Sequence, residues 1–435
     1  MKKRRKSPKR IIKSIKDLIY SKEFMERNRT SERYFSRKRK LPFVPLMLFM
    51  INIIKQTIQK ELTRFIKMFG DKSSNITKSA FSQSRMKLKP EAFIELNNHL
   101  IEEFYTDNII KKWNGFRLCA VDGSKLILPT HSKELMEKFG TLSSGMIIPQ
   151  AQISSCYDVL NEIILDTQLE TLQINEMNQA VRHLDKLSNG DLVIFDRGYS
   201  AVWFYYMIKI RELDFVNRVP KNFIKDAENF RLSDEIDRTI EVNIPPQKSR
   251  YGLQRHEISK TMFQPFKLRF IKVILDTGEI EVLATTLLDK EKYRVEIFKD
   301  LYFKRWGIET NFDHLKSNIH VEEFTGLSEI AIRQDFYVSV FINNLQSIIA
   351  LDSKEEMDKE KKDKKYEYKI NRNLSLGCMK DRIIEILTSD NPRYYEELKE
   401  LFKMNPNPIR MGRKNPRKHQ DKNRRKYFMN RKRAV

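Results

Sequence analysis

Residues 302–316, YFKRWGIETNFDHLK, hold side chains whose spacing could do chemistry. Arg305, Glu309, Asp313 and Lys316 recur at steps of four, four and three, which on a helix puts them on one face. Tyr302 extends that face by a turn, and Leu301, Ile308, Phe312 and Leu315 form an apolar side. An ordinary solvated helix laced by ion pairs would show the same pattern. Two upstream stretches give the carboxylates company. LCAVDGS (118–124) and DLVIFDRGY (191–199) each read as an apolar strand ending in an aspartate near a glycine. A carboxylate at a strand end beside a turn is readily presented to a cleft. Asp122, Asp196 and Glu309 come from three elements. Together they supply the hard oxygen donors that could hold two divalent cations against a phosphodiester. Asp313, one turn beyond Glu309, is the competing acid. His314 and His320 are not joined by HxH or HxxxH spacing, so an imidazole metal site is not expected.

The elements that must position these groups are legible in the middle of the chain. Strands are expected at 116–122, 150–157 and 162–169, then a helix at 175–187. A strand at 191–196, a helix at 201–211, a strand at 214–219 and a helix over 291–317 follow. Three neighbouring strands followed by α/β alternation point to a mixed sheet with helices against it. Between them, 267–275 and 280–287 read as a hairpin inside an insertion at about 220–290. Upstream, 11–20 is an amphipathic helix within a basic arm, and 46–69 is a second helix. A short helix at 77–88 and another opened by Pro90 suggest either a helix-turn-helix or a plain helical hairpin. In the first case Ser82, Gln83 and Arg85 are candidates for DNA contact. Downstream come an apolar helix at 336–351, a mixed-charge linker or solvated helix at 354–369 and a small helical segment at 371–402. After Pro406 a polar tail is expected to order only on nucleic acid.

On these residues the chain resembles the DDE transposases of bacterial insertion sequences, in the insertion-sequence-four branch. That branch carries its last acid in Y-x2-R-x3-E-x6-K, a pattern met by Tyr302, Arg305, Glu309 and Lys316. The D-G-S after the first strand and the D-R-G-Y after the later one also resemble the family, and the likeness spans about 76–351. It implies an α/β protein with a ribonuclease-H-like mixed-sheet core and a β-rich insertion. A helical DNA-binding region would precede the core, and a basic helical or disordered tail would follow it. The corresponding domains are 1–115, 116–351 and 352–435. In that fold the first and fourth strands are adjacent, which makes neighbours of Asp122 and Asp196. The resemblance further implies two Mg²⁺ ions, or Mn²⁺, with Asp122 bridging and Asp196 and Glu309 each completing one. Tyr302, Arg305 and Lys316 would position the DNA end. Arg197 and Tyr199 would contact backbone phosphate or support Asp196, and Lys125 is similar. Trp306 is expected in the core, with stacking on an unpaired base as the alternative. The implied activity is cut-and-paste transposition: binding of terminal inverted repeats, hydrolysis of the ends and transfer of 3′-hydroxyls to target DNA. A homodimer in a synaptic complex on double-stranded DNA goes with it. A catalytically silent DNA-binding derivative is the alternative.

Composition fits a polyanion partner. The net charge is +24 over 435 residues, unevenly spread. Residues 1–40 carry 17 Lys/Arg against 4 Asp/Glu, and residues 401–435 carry 13 against 1, so the middle is nearly neutral. Basic ends of this kind bind nucleic acid in a salt-dependent way, although a solubility tail or a membrane-surface contact would share the composition. Cys119, Cys156 and Cys378 are widely spaced without CxxC, which argues for a reducing compartment, and the resemblance implies a cytoplasmic, nucleoid-associated protein. The longest apolar run, 42–54, contains two prolines and is too short to span a membrane; a buried helix or docking surface is expected there. An RNA-associated basic protein is less favoured, because no RNP-like aromatic motif or GXXG loop is present.

Overall fold

The structure is a computed structural model. It describes residues 8–410 apart from 38, 54–55, 69–75, 107–109, 144, 244–246, 276 and 361–365. The basic tail expected beyond Pro406 lies mostly outside these residues. The chain forms two compact units, one of residues 1–109, 126–151 and 313–435, the other of 110–125 and 152–312.

The first unit is largely helical. It opens with α1 (Pro8–Tyr20), α2 (Lys22–Asn28), α3 (Phe43–Ile51), α4 (Ile58–Met68), α5 (Lys78–Arg85) and α6 (Glu91–Tyr105). From residue 8 onward the basic N-terminal stretch is not a free arm. Ile11, Ile12, Ile15 and Ile19 of α1 are buried, and the helix packs on α6. The apolar run is buried as α3, so 46–69 holds two helices rather than one. Among the described residues no helix is long and apolar enough to cross a membrane.

The second unit contains most of a mixed sheet. In chain order come β1 (Arg117–Ile127), then α7 (Lys133–Phe139) and β2 (Gly140–Ser143), which belong to the first unit, then β3 (Met146–Asp158), which begins there, and β4 (Ile163–Thr171). Then follow α8 (Glu176–Leu184), β5 (Asp191–Phe195), α9 (Val202–Lys209), β6 (Asp214–Val219), α10 (Lys225–Leu232) and β7 (Asp237–Val242). Next are α11 (Gln247–Arg255), β8 (Phe266–Ile274), β9 (Ile280–Thr285), α12 (Ile297–Phe303) and α13 (Trp306–Ser317). The sheet order is β2-β3-β1-β5-β6-β9-β8-β7, with β4 also paired to β3. β1, β5 and β6 are parallel neighbours, while β9, β8 and β7 run antiparallel beyond them. The insertion therefore extends the main sheet, and it carries the helices α10 and α11 as well as strands. Leu118, Ile194, Val216 and Leu283 from the sheet bury against Phe298, Leu301 and Tyr302 of α12. Those three positions recur at helical spacing, so one stripe of α12 covers the sheet.

Arg269 helps to place α12. It is fully buried on β8, bonds Asp237 on β7 at 2.9 Å and donates to the carbonyls of Leu287 and Tyr293 just before the helix. The chain closes with α14 (Glu329–Glu360), β10 (Tyr368–Lys369), α15 (Arg372–Thr388), α16 (Arg393–Lys403) and β11 (Asn407–Pro408), all in the first unit. Part of the expected charged linker thus continues α14.

Candidate active site

The parallel register of β1 and β5 pairs Arg117 with Asp191 and ends at Ala120 with Ile194. Two residues further on, the same offset sets Asp122 opposite Asp196. Parallel neighbours lie about 4.8 Å apart, so the two carboxylates share one end of the sheet. Asp122 is not at a strand end, as its glycine suggested. β1 continues to Ile127 because β3 on its other side carries the pairing on, with Leu128 N–H bonded to Pro149 O at 2.9 Å. Asp196 does end its strand. Its Oδ1 accepts from Gly198 N at 2.8 Å, capping a single 3₁₀ turn at Arg197–Tyr199. Buried Asn217 fixes it further by donating to the Asp196 carbonyl, while its own oxygen accepts from the hydroxyls of Ser200 and Tyr205.

Glu309 reaches the same place through Arg305. One guanidinium nitrogen lies 2.7 Å from Glu309 Oε1 and another 3.6 Å from Asp122 Oδ2. The single helix expected over 302–316 is broken between α12 and α13. Arg305 N bonds Tyr302 O at 3.0 Å and Gly307 N bonds Lys304 O at 3.0 Å, the tight i→i+3 pattern of a 3₁₀ turn. Gly307 permits this. A Cβ there would lie 3.3 Å from Val159 Cγ1, and glycine is a poor helix former. Tyr302 is thus on a different helix from Glu309, yet its ring lies 5.8 Å from the Arg305 guanidinium.

Burial pushes the Asp122 carboxyl up to about 7; Gly123 N–H and Arg305 oppose the shift, and Asp196 and Glu176 add to it. Glu176 is likewise raised, by burial and then by Asp196. The Tyr302 hydroxyl is pushed up to about 12, mainly by burial. Burial works against the charge of Arg305, but Tyr302, Glu309 and Asp122 hold it on.

The DNA-facing expectations divide. Arg85 is a correction: it is 2% exposed and bonds Gln334, Thr325, the Ala331 carbonyl and Asp335 at 2.7–3.0 Å. A guanidinium so engaged is an internal tie, not a phosphate contact. Tyr199 is 2% exposed as well, so it supports the carboxylates from within, and Arg197 beside it is exposed. Tyr302 and Arg305 are buried in the centre itself. Lys316 lies seven residues beyond Glu309, about 10 Å along α13, and is half-buried. Trp306 is 38% exposed rather than in the core, with Arg305 over its ring at 5.4 Å.

Sequence reading missed Glu176, Asn217, Arg218 and Glu281. Arg218 pairs with Glu281 of β9, a diagonal contact across antiparallel strands, and feels Tyr302 and Arg305. The polar pair Asn217-Arg218 inside the apolar strand DFVNRV was the available signal.

Among the described residues no three His, Cys, Asp or Glu stand together closely enough to hold a metal ion, and Arg305 spans Asp122 and Glu309. The donor chemistry nonetheless fits a hard dication, since every candidate ligand is a carboxylate. The buried Tyr302 hydroxyl and the Nε atoms of Arg305 and Arg218 lack hydrogen-bond partners. Orphaned polar groups gathered at one place point to a ligand.

The site is an acidic cluster on two adjacent parallel strands of an α/β protein, completed from a helix that follows a long sheet insertion. Residues 113–345 match the family described as the transposase DDE domain, and the chain belongs to that family. It is 17% identical over 295 residues to the transposase InsG of insertion sequence element IS4 from Escherichia coli strain K12, covering 66% of this chain and 65% of that protein. The insertion-sequence resemblance read from Tyr302, Arg305, Glu309 and Lys316 agrees with both matches. A cryo-EM structure of the piggyBac transposase synaptic complex with hairpin DNA is similar over 89% of this chain and 84% of that one, with TM-score 0.43 and 10% identity.

Proposed function

We propose that the protein is a cut-and-paste DNA transposase whose phosphoryl-transfer centre is Asp122, Asp196 and Glu309 on a ribonuclease-H-like core. The observation that carries the reading is convergence: strand register sets Asp122 beside Asp196, and Arg305 joins Asp122 to Glu309. The three carboxylates would hold Mg²⁺ or Mn²⁺, two ions in all, which supply Lewis-acid stabilisation of the attacking and leaving oxygens. Arg305 and Tyr302, each with an unpartnered buried polar atom, are placed to take oxygens of the scissile phosphate. Exposed Arg197, together with Lys316, would grip the DNA backbone, and exposed Trp306 would stack on an unpaired base. In this reading 116–351 is the catalytic domain, and 1–115 and 352–435 contact DNA through their basic ends. The protein works as a homodimer joining two inverted-repeat ends in the cytoplasm, at the nucleoid.

The test uses duplex DNA carrying the repeats that flank the coding region. Asp122→Ala, Asp196→Ala and Glu309→Ala should each abolish Mg²⁺-dependent nicking while leaving duplex binding in chelator intact. Full activity in any one variant removes that residue from the centre. A parent protein that binds but never nicks would instead be a silent DNA-binding derivative.

A further inference from the structure

We infer that the segment between α2 and α3, together with Lys87 just after α5, forms a pocket for one unstacked nucleotide of DNA. The inference takes its partner, DNA, from the transposase reading. Its geometry lies within the first unit and involves none of the residues of the acidic centre.

A cavity of about 400 Å³ opens there, within the range of about 300–1,000 Å³ usual for small-ligand sites. Arg33, Arg37, Arg39 and Lys87 line it, and none of the four has a carboxylate partner among the described residues. Glu32, the single acid of residues 29–42, is not in the lining. Four cations around one space repel one another, and an anion entering it relieves that repulsion. Charge alone would suit any phosphate. The cavity also has an apolar side, made by Tyr34, Phe35, Leu41 and Pro42. Tyr34 is 38% exposed, with Lys87 Nζ 5.6 Å from its ring centre. A paired DNA backbone lying across the cations would leave this side idle. An unstacked nucleotide uses both, its base on the aromatic ring and its phosphate on the guanidinium groups.

The chain around the pocket is tied down. Arg29 forms a β-bridge with Leu88, and Thr30 N donates to Lys87 O at 2.9 Å, which joins the start of the segment to the turn carrying Lys87. Arg29 Nη1 donates to the Glu32 carbonyl at 2.6 Å. Phe35 adopts φ +60 and packs edge-on against Phe43 at 5.4 Å. A phenylalanine with positive φ is strained, and the surrounding contacts hold it there. Backbone fixed in this way loses little freedom when a ligand enters.

Fluorescence anisotropy of labelled flanking-repeat duplex, with the full chain in chelator, tests the pocket. A duplex with a single-stranded overhang should bind about tenfold more tightly than a blunt duplex of equal phosphate count. Tyr34→Leu should erase that preference with the salt slope unchanged, and Tyr34→Trp should keep it. The triple variant Arg33→Gln/Arg37→Gln/Arg39→Gln should also erase it and lower the salt slope by about 1–2; it decides the matter if Tyr34→Leu lowers the urea midpoint. Equal binding of the two duplexes by the parent, or a preference that survives in the folded variants, overturns the inference. Competition by dAMP at the concentration of the overhang duplex would assign the pocket to a free nucleotide and overturn the DNA assignment. Mg²⁺-dependent nicking by a protein without the preference leaves the transposase reading standing, whereas a parent that binds no duplex at all overturns both.

Discussion

Replacing Asp122 by Asn should stabilise the cation-free protein, and more so as the pH rises. The carboxyl goes from an ordinary value of 3.8 to about 7 on folding, chiefly through burial. A raised carboxyl favours the folded state only while it keeps its proton. Its contribution is whole below about pH 4 and is lost as pH climbs through about 7, because the unfolded chain ionises first. The interval between the two values corresponds to about 4 kcal/mol. About 1.5 kcal/mol of this is already gone at pH 5 and essentially all at pH 8, so the advantage of Asp122→Asn should widen by about 2–3 kcal/mol across that range. Trp113, Trp203 and Trp306 all belong to the unit that holds the centre. Urea unfolding followed by tryptophan fluorescence in chelator therefore reports on that unit. An advantage that stays constant from pH 5 to pH 8 would refute the reasoning, because a difference in packing alone does not titrate. Saturating Mg²⁺ should reverse the order of the two proteins.

Asn217→Ala should cost about 2–3 kcal/mol by urea denaturation, since the Asp196 carbonyl and the Tyr205 hydroxyl lose their partner and Ser200 keeps only the Arg218 carbonyl. Arg85→Ala should cost about 3 kcal/mol by leaving the partly buried Asp335 with Thr325 but without its counter-charge, and Arg85→Lys should not rescue it because the fork of contacts is lost. The salt slope of DNA binding, measured on the folded fraction, should not change in either Arg85 variant.

Strand-forming runs were the most readable part of the chain, because apolar β-branched residues bounded by glycine or charge announce a covered strand. The Asp122–Asp196 pairing followed from them, with family resemblance supplying which strands are neighbours. The spacing from Tyr302 to Lys316 marked Glu309 correctly as a helical acid near a cation. It also hid the break at Lys304–Arg305, since the 3₁₀ turn depends on Gly307 meeting Val159, a contact between remote positions. Arg85 misled for the same reason: a lone arginine in a polar helix looks solvent-facing until Gln334 and Asp335 are known to surround it. Glu176 carries no local mark at all, because its carboxylate fills the space beside Gly123, 53 positions earlier.

The pairing of β9 with β6 has a practical consequence for anyone who would trim this protein. Excising the segment between β6 and α12 would strip β6 of its antiparallel partner and expose an unpaired edge prone to joining other chains. It would also remove Glu281, leaving Arg218 without its counter-charge beside the like-charged Arg305. A minimal version must keep at least the β8–β9 hairpin, because the long detour before Glu309 builds part of the wall behind Tyr302.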